Sequence, residues 1–257
     1  MTGRGTAARL FFAEKTMEET LFNGVVMVQP DGGFRLGTDS MLLSRFLTLP
    51  KNAVVADLGS GCGTLGLLLC ARETTCRVMG LELDEQAHAL ALRNIARNGL
   101  EGRLESCCGD VRQIRELWPA GSVSCVISNP PYFPEHSGKV SARHPTARSE
   151  TTLPLAELCA AAAYLLPHGG RFALVHRPER LCDLFCALRN SALEPKRLQF
   201  VRHTARSPVS LVLIESRRGG RPGLHYEPDF IEFTPDGMET DDYRAAYGRK
   251  EPSCPEP

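Results

Sequence analysis

From Ala53 to His176 the chain alternates short apolar runs with segments of helical periodicity. "AVVADL" (53–58) reads as a strand and "TLGLLLCARE" (64–73) as a helix. "CRVMGLEL" (76–83) is a strand, and "DEQAHALALRNIARNG" (84–99) a helix from its Asp84 cap to an Asn98-Gly99 stop. "RLESCCGD" and "VSCVIS" read as strands, "LPLAELCAAAAYLLPHGG" as a helix and "RFALVH" as a strand. "PERLCDLFCALRNSAL" is a helix with Pro178 in its first turn. Strand–helix alternation dictates βαβ units with right-handed crossovers. The fold class expected is therefore α/β, with a Rossmann-like, mostly parallel sheet. "KRLQFVRH" and "VSLVLIESRR" follow with no helix between them, which predicts an antiparallel C-terminal strand pair.

Three regions follow from this pattern. Residues 1–50 form an N-terminal extension, read as a hairpin around Asp31-Gly32-Gly33 followed by a helix, packed on the core. Residues 51–218 form the main domain. Residues 219–257 form an acidic tail with one strand-like piece, "DFIEF". The formal net charge is zero, but its distribution is uneven. Arg171–Arg221 holds 11 Lys/Arg against 4 Asp/Glu, and Pro222–Pro257 holds 3 against 9. The first segment offers cations to phosphates, and the second offsets it in the total; solvated faces are the plainer alternative.

The turn after the first strand is "DLGSGCG". Asp57 ends the strand, and Gly59, Gly61 and Gly63 fill the turn. Ligands of open α/β sheets bind at the carboxyl ends of strands, where glycines let the backbone approach and adopt positive φ. The dinucleotide fingerprint would need glycine at 64, which is Thr64. The spacing present is that of S-adenosylmethionine (SAM) methyltransferases. Glu82, at the next strand end, is placed to accept ribose hydroxyls. Asp110, after the third strand, is placed to reach the adenine amino group. Each acid alone would be read as a helix cap or turn residue; their place at successive strand ends makes them a cofactor set. Thr38 and Asp39 are candidates for the amino-acid end of SAM, with a helix cap on Thr38 as the alternative.

The fourth strand stops on Asn129, Pro130, Pro131 and Tyr132. Prolines have no backbone donor and cannot continue a sheet. This arrangement suits a planar NH₂ group. The Asn129 side-chain oxygen accepts one N–H and the Pro130 carbonyl the other, while Tyr132 stacks on the plane. Two acceptors draw the amine lone pair toward an activated methyl, so position rather than a strong base carries the chemistry. Two substrate classes share this motif: adenine N6 in nucleic acid, and the glutamine amide of release factors. A non-catalytic SAM-fold binding module is a third reading, which the intact Asn129 motif and cofactor acids oppose.

"DGGFRLGTDSMLLSRFL", "VVADLGSGCGTLGLLL", "ISNPPYF" and "GGRFALVHRPERL…LEPKRLQFV" together resemble the bacterial tRNA(Val) adenine-37 N6-methyltransferase family, from about Asn23 to Arg218. The resemblance implies a cytoplasmic enzyme that uses SAM on an anticodon-loop adenine. It carries cofactor roles to Asp57, Gly59, Gly61, Glu82 and Asp110, and target-amine roles to Asn129, Pro130 and Tyr132. Where the family tends to read Ala-Arg-His-Glu, this chain has Ala147, Arg148, Ser149 and Glu150, and Ala142-Arg143-His144 stands slightly earlier.

A loop adenine is held by aromatic stacking, for which Tyr132 and Phe133 are the candidates. The polar stretch 135–150 brings Lys139, Arg143 and Arg148 as phosphate contacts. No apolar run has membrane-spanning length, and the first residues lack the apolar core of a signal peptide. Ten cysteines occur without a C-x-x-C pair, and most lie in apolar segments. They read as packing thiols of a reducing cytoplasm. No metal is expected. The partner expected is tRNA, no membrane, and the chain is expected to be a monomer.

Overall fold

The structure, a computed structural model, describes residues 16–30, 36–130 and 153–249. Its centre is a nine-stranded sheet. Strands β3 (Val54–Leu58), β4 (Arg77–Glu82), β5 (Leu104–Cys108), β6 (Cys125–Ser128) and β7 (Arg171–His176) are mutually parallel. β9 (Val209–Arg218) runs antiparallel to β7, and β8 (Leu193–Arg202) antiparallel to β9. The order is β8-β9-β7-β6-β3-β4-β5. The chain moves from β3 outward through β4 and β5, then returns to the other side of β3 with β6. The crevice between β3 and β6 is thus the switch point where such sheets bind ligands.

Residues alternate between two cores because β side chains alternate faces. Val55, Cys125 and Ile127 pack with α1 (Thr38–Phe46), α2 (Thr64–Arg72) and α3 (Glu85–Arg97). Ala56, Leu58 and Val126 pack with α4 (Ile114–Leu117), α5 (Leu155–Leu165) and α6 (Leu181–Asn190). Both faces of the parallel strands are covered, which is why their sequences read as continuous apolar runs. Asp84 caps α3 as its sequence requires, accepting from Gln86 N at 2.8 Å and Ala87 N at 2.9 Å.

The N-terminal hairpin among the described residues turns at a point that the sequence reading did not name. β1 (Thr16–Thr20) pairs antiparallel with β2 (Val26–Pro30) through a turn at Phe22–Gly24. Asn23 and Gly24 both have positive φ, 58° and 75°, the conformation that Asn-Gly supplies to tight hairpins. The Asp31–Gly33 turn expected from the sequence lies outside the described residues. Asn94 (α3) anchors the hairpin by a paired exchange with Val28, Nδ2 to O at 2.9 Å and N to Oδ1 at 2.7 Å.

The acidic C-terminal stretch folds back on the sheet. β10 (His225–Tyr226) and β11 (Phe230–Ile231) both pair with β8, and α7 (Asp241–Ala246) follows. Among the described residues no helix is long and apolar enough to cross a membrane, and no cluster of metal-ligating side chains occurs.

Candidate active site

The glycine turn hangs from the neighbouring strand. Gly59 N and Ser60 N both donate to Leu81 O, at 2.9 and 3.0 Å, and Gly63 N donates to Ser60 O at 2.9 Å. Gly59, Gly61 and Gly63 have φ of 76°, 57° and 84°. A side chain in that region costs roughly 1–2 kcal/mol. A Cβ at Gly59 or Gly61 would meet nothing within 4 Å, so the turn faces open space. That space is a cradle which a side chain would fill.

Asp57 lies under this turn and is 1% exposed, with neither carboxylate oxygen in a hydrogen bond. Burial, then the charge of Glu82, pushes its carboxyl up to about 8; the Gly66 N–H eases it slightly without reaching hydrogen-bond geometry. A buried acid of this kind wants a cation or donors brought to it. Glu82 is already at work on the backbone. Its Oε2 accepts from Gly61 N at 2.7 Å and its Oε1 from Asp84 N at 2.9 Å, so the acid holds the turn in shape and keeps further lone pairs. Leu83, next to it, is 48% exposed, an apolar surface at the mouth that the sequence reading did not single out. Asp110 takes up the turn-cap reading that the sequence offered. It caps the turn Val111–Gln113 through Arg112 N at 2.9 Å, and its bonds to the Arg112 guanidinium hold its carboxyl below the usual range.

Across the crevice, β6 delivers Asn129, half-buried, and Pro130, buried. Asn129 Nδ2 donates to Ser40 Oγ at 2.9 Å. Ser40 is 2% exposed and sits in the first turn of α1. The helix start also carries Thr38 and Asp39. Thr38 Oγ1 lies 3.2 Å from the Tyr247 hydroxyl, just beyond α7, and Asp39 Oδ1 accepts from Ser40 N at 2.7 Å. The Thr38 alternative of a side-chain cap fails, since Gly37 occupies the N-cap. Ser40 and Tyr247 were not legible as site neighbours. Tyr247 comes 209 residues after Thr38 and no local pattern links them. His176 ends β7, one strand from β6; its Nδ1 accepts from Arg177 N at 2.8 Å, and burial pushes it down to about 4, so it is neutral at physiological pH. Tyr132, Phe133, Lys139, Arg143 and Arg148 lie outside the described residues.

The basic segment 171–221 does not present a continuous cationic face, because the C-terminal acids meet it. Arg197 Nε bonds Glu227 at 2.8 Å, Arg202 Nε bonds Asp229 at 2.6 Å, and His203 faces Glu232 at 3.2 Å. Strand register divides the remainder. Arg171 and Arg217 pair at the sheet edge away from the crevice, while His176 and Val212 pair toward it. The β8–β9 connection therefore lies on the rim with Asn129, and it carries the exposed Arg206.

The methyltransferase small domain family model matches residues 31–183. A tRNA1(Val) (adenine(37)-N6)-methyltransferase of Photobacterium profundum is 31% identical over 71% of this chain and 77% of its own length. A protein of that name from Porphyromonas gingivalis is 31% identical over 71% of this chain and 74% of its own length. Among solved structures, a predicted O-methyltransferase of Agrobacterium tumefaciens superposes with a TM-score of 0.68 at 20% identity, covering 84% of this chain and all of that one. At that identity the match speaks for the fold, a class I methyltransferase sheet.

Proposed function

The chain belongs to the tRNA1(Val) (adenine(37)-N6)-methyltransferase family, and on that premise we propose that it methylates the exocyclic N6 of an adenine in a tRNA anticodon loop. The cofactor is SAM. The residues fit it: an orphan buried acid, Asp57, beneath an open glycine turn, with Glu82 and Asp110 at the next two strand ends. When bound, SAM supplies a methyl group activated by its sulfonium. In this reading Gly59, Gly61 and Gly63 give the close backbone approach, Glu82 takes the ribose, Asp110 the adenine, and Thr38 and Asp39 the amino-acid end.

The observation that carries the reading is Asn129 at the end of β6, beside the switch-point crevice, with its Nδ2 donating to Ser40. In this reading the side-chain oxygen is the acceptor for one target N–H. The Pro130 carbonyl takes the second. An exocyclic amine conjugated to its ring then presents its lone pair toward the methyl; the N–C bond would form as the methyl–sulfur bond breaks, and the surplus proton leaves to water. His176 is buried and neutral, and no strong base is needed. Tyr132 and Phe133 stack on the extruded base, which costs a few kcal/mol to unstack, and less in a loop. Lys139, Arg143 and Arg148 meet the phosphates. A tRNA substrate places the enzyme in the cytoplasm, which suits its free thiols.

The test offers tritiated SAM with total tRNA, a release factor and DNA separately. Label should enter tRNA and digest to N6-methyladenosine. Asn129→Ala should bind SAM normally and lose most of its turnover, because the loss falls on the transition state. Label in release-factor glutamine instead would replace this reading.

A further inference from the structure

The hydroxyls of Thr38 and Tyr247 meet at 3.2 Å across 209 residues of sequence. We propose that Tyr247 is a positioning residue for the cofactor, its phenol holding the Thr38 hydroxyl so that Thr38 donates to the carboxylate of SAM. The proposal rests on the reading given above that Thr38 takes the amino-acid end of SAM.

The physical case starts from the two hydroxyls. Each donates one hydrogen bond and accepts others. The phenol is the more acidic of the two, so it is the better donor and the alcohol the better acceptor. Burial pushes the Tyr247 phenol up, so it keeps the proton it donates. With Tyr247 O–H on Thr38 Oγ1, the Thr38 proton points away from Tyr247. An anion in the crevice accepts that proton, and two hydrogen bonds in series polarise each other. Were Thr38 to donate to Tyr247 instead, its lone pairs would face the carboxylate, acceptor against acceptor. An anionic ligand therefore selects the order Tyr247 to Thr38 to carboxylate. Thr38 opens α1 two residues before Ser40, which bonds Asn129 at 2.9 Å, so the hydroxyl pair stands beside the switch-point crevice.

The Tyr247 ring is held in place without its hydroxyl. α7 has six residues, too few to be stable alone, so packing keeps it formed. Ala246 is 1% exposed and belongs to the same core as Met41 and Leu42 of α1, and Tyr247 packs against that core. Arg45, in the last turn of α1, donates to Ala245 O at 2.7 Å. Gly248 has a φ of 64°, and a Cβ there would lie 2.7 Å from the Cβ of Phe22, so the chain passes the N-terminal hairpin closer than a side chain would permit. Tyr243 stacks on the Tyr247 ring with centroids 4.7 Å apart. Removing the phenol oxygen alone leaves all of these contacts standing.

Calorimetry should compare two ligands, S-adenosylhomocysteine and 5′-methylthioadenosine, which share the adenosine and thioether and differ in the amino-acid end. Tyr247→Phe should lower S-adenosylhomocysteine affinity about three- to tenfold, the size of one neutral hydrogen bond, and leave methylthioadenosine affinity unchanged. Thr38→Val should lower S-adenosylhomocysteine affinity about ten- to a hundredfold, the loss of a bond to a charged group, and again spare methylthioadenosine. In the Thr38→Val background, Tyr247→Phe should cost less than about twofold, since the phenol acts through that hydroxyl. Binding of methylthioadenosine also reports that each variant is folded. Equal losses for the two ligands in Tyr247→Phe would mean that the phenol only supports the fold, and unchanged S-adenosylhomocysteine affinity would mean that it has no part in binding. Either result, or additive losses in the double variant, would overturn the proposal. Wild-type affinity in Thr38→Val would instead remove the reading of Thr38 and the proposal with it, a failure distinguishable because it appears without any change at Tyr247.

Discussion

Asp57 is a carboxyl group with no hydrogen-bond partner at 1% exposure, and its cost is readable as a pH dependence. Burial and the nearby Glu82 raise its pKa from 3.8 to about 8. Between those values the folded protein holds a proton that the unfolded chain releases. Stability therefore falls as pH rises from about 4 to about 8, by at most about 1.4 kcal/mol per pH unit. Asp57→Asn removes that slope. In thermal melts without SAM, the variant should gain on the wild type between pH 5 and pH 8, while its SAM affinity drops. A melting difference that is the same at both pH values would show that Asp57 does not carry the proton. The place of this acid was legible, because a polar residue at the end of an apolar run needs a reason. Its isolation was not, since desolvation depends on what α2 and β4 lay over it.

At the scale of elements, strands β3 to β7 and helices α2, α3, α5 and α6 were legible because hydrophobic period and end signals agreed. The hairpin and the C-terminal stretch were not. Asn23-Gly24 closes the described hairpin, a turn signal that the sequence reading did not single out, whereas Asp31-Gly32-Gly33 lies outside the described residues. Downstream, the charges of 171–221 and 222–257 were counted as separate populations, whereas β10 and β11 lie beside β8 and bring them together. Both arginine side chains of the Arg197–Glu227 and Arg202–Asp229 pairs are about a third exposed, at 30% and 29%. Each pair is worth about 1 kcal/mol or less in stability. Their larger effect is to mask cations. Glu227→Gln with Asp229→Asn should leave the protein folded and bind tRNA less selectively. Its log–log salt slope should steepen by just under two, about one for each unmasked guanidinium. An unchanged slope in filter binding, with the fold intact by circular dichroism, would mean the two guanidiniums stay out of reach.

The sheet has two rims, and the proposed chemistry belongs to one. The glycine turn, Glu82, Asp110 and Asn129 all stand at carboxyl ends of parallel strands. The β8–β9 turn joins them because Arg202 pairs with Val209 on that side. Neighbouring strands lie about 4.8 Å apart. Counting from β6 across β7 and β9 to β8 puts Arg206 roughly 10–15 Å sideways from Asn129, within the span of an RNA backbone whose adenine sits in the crevice. Arg206 is exposed, with a charge open to a phosphate. Arg221 follows the far end of β9, a ten-residue strand, and so lies about 30 Å from the catalytic rim. The two arginines make a matched pair for testing where the tRNA lies. Arg206→Ala should weaken tRNA binding and flatten its salt slope by just under one, the loss of one phosphate contact, with SAM affinity untouched. Arg221→Ala should leave both the affinity and the slope at wild-type values. Equal losses in the two variants would mean that RNA is held by diffuse charge over the whole surface, and a loss confined to Arg221→Ala would place the RNA on the opposite rim, out of reach of Asn129.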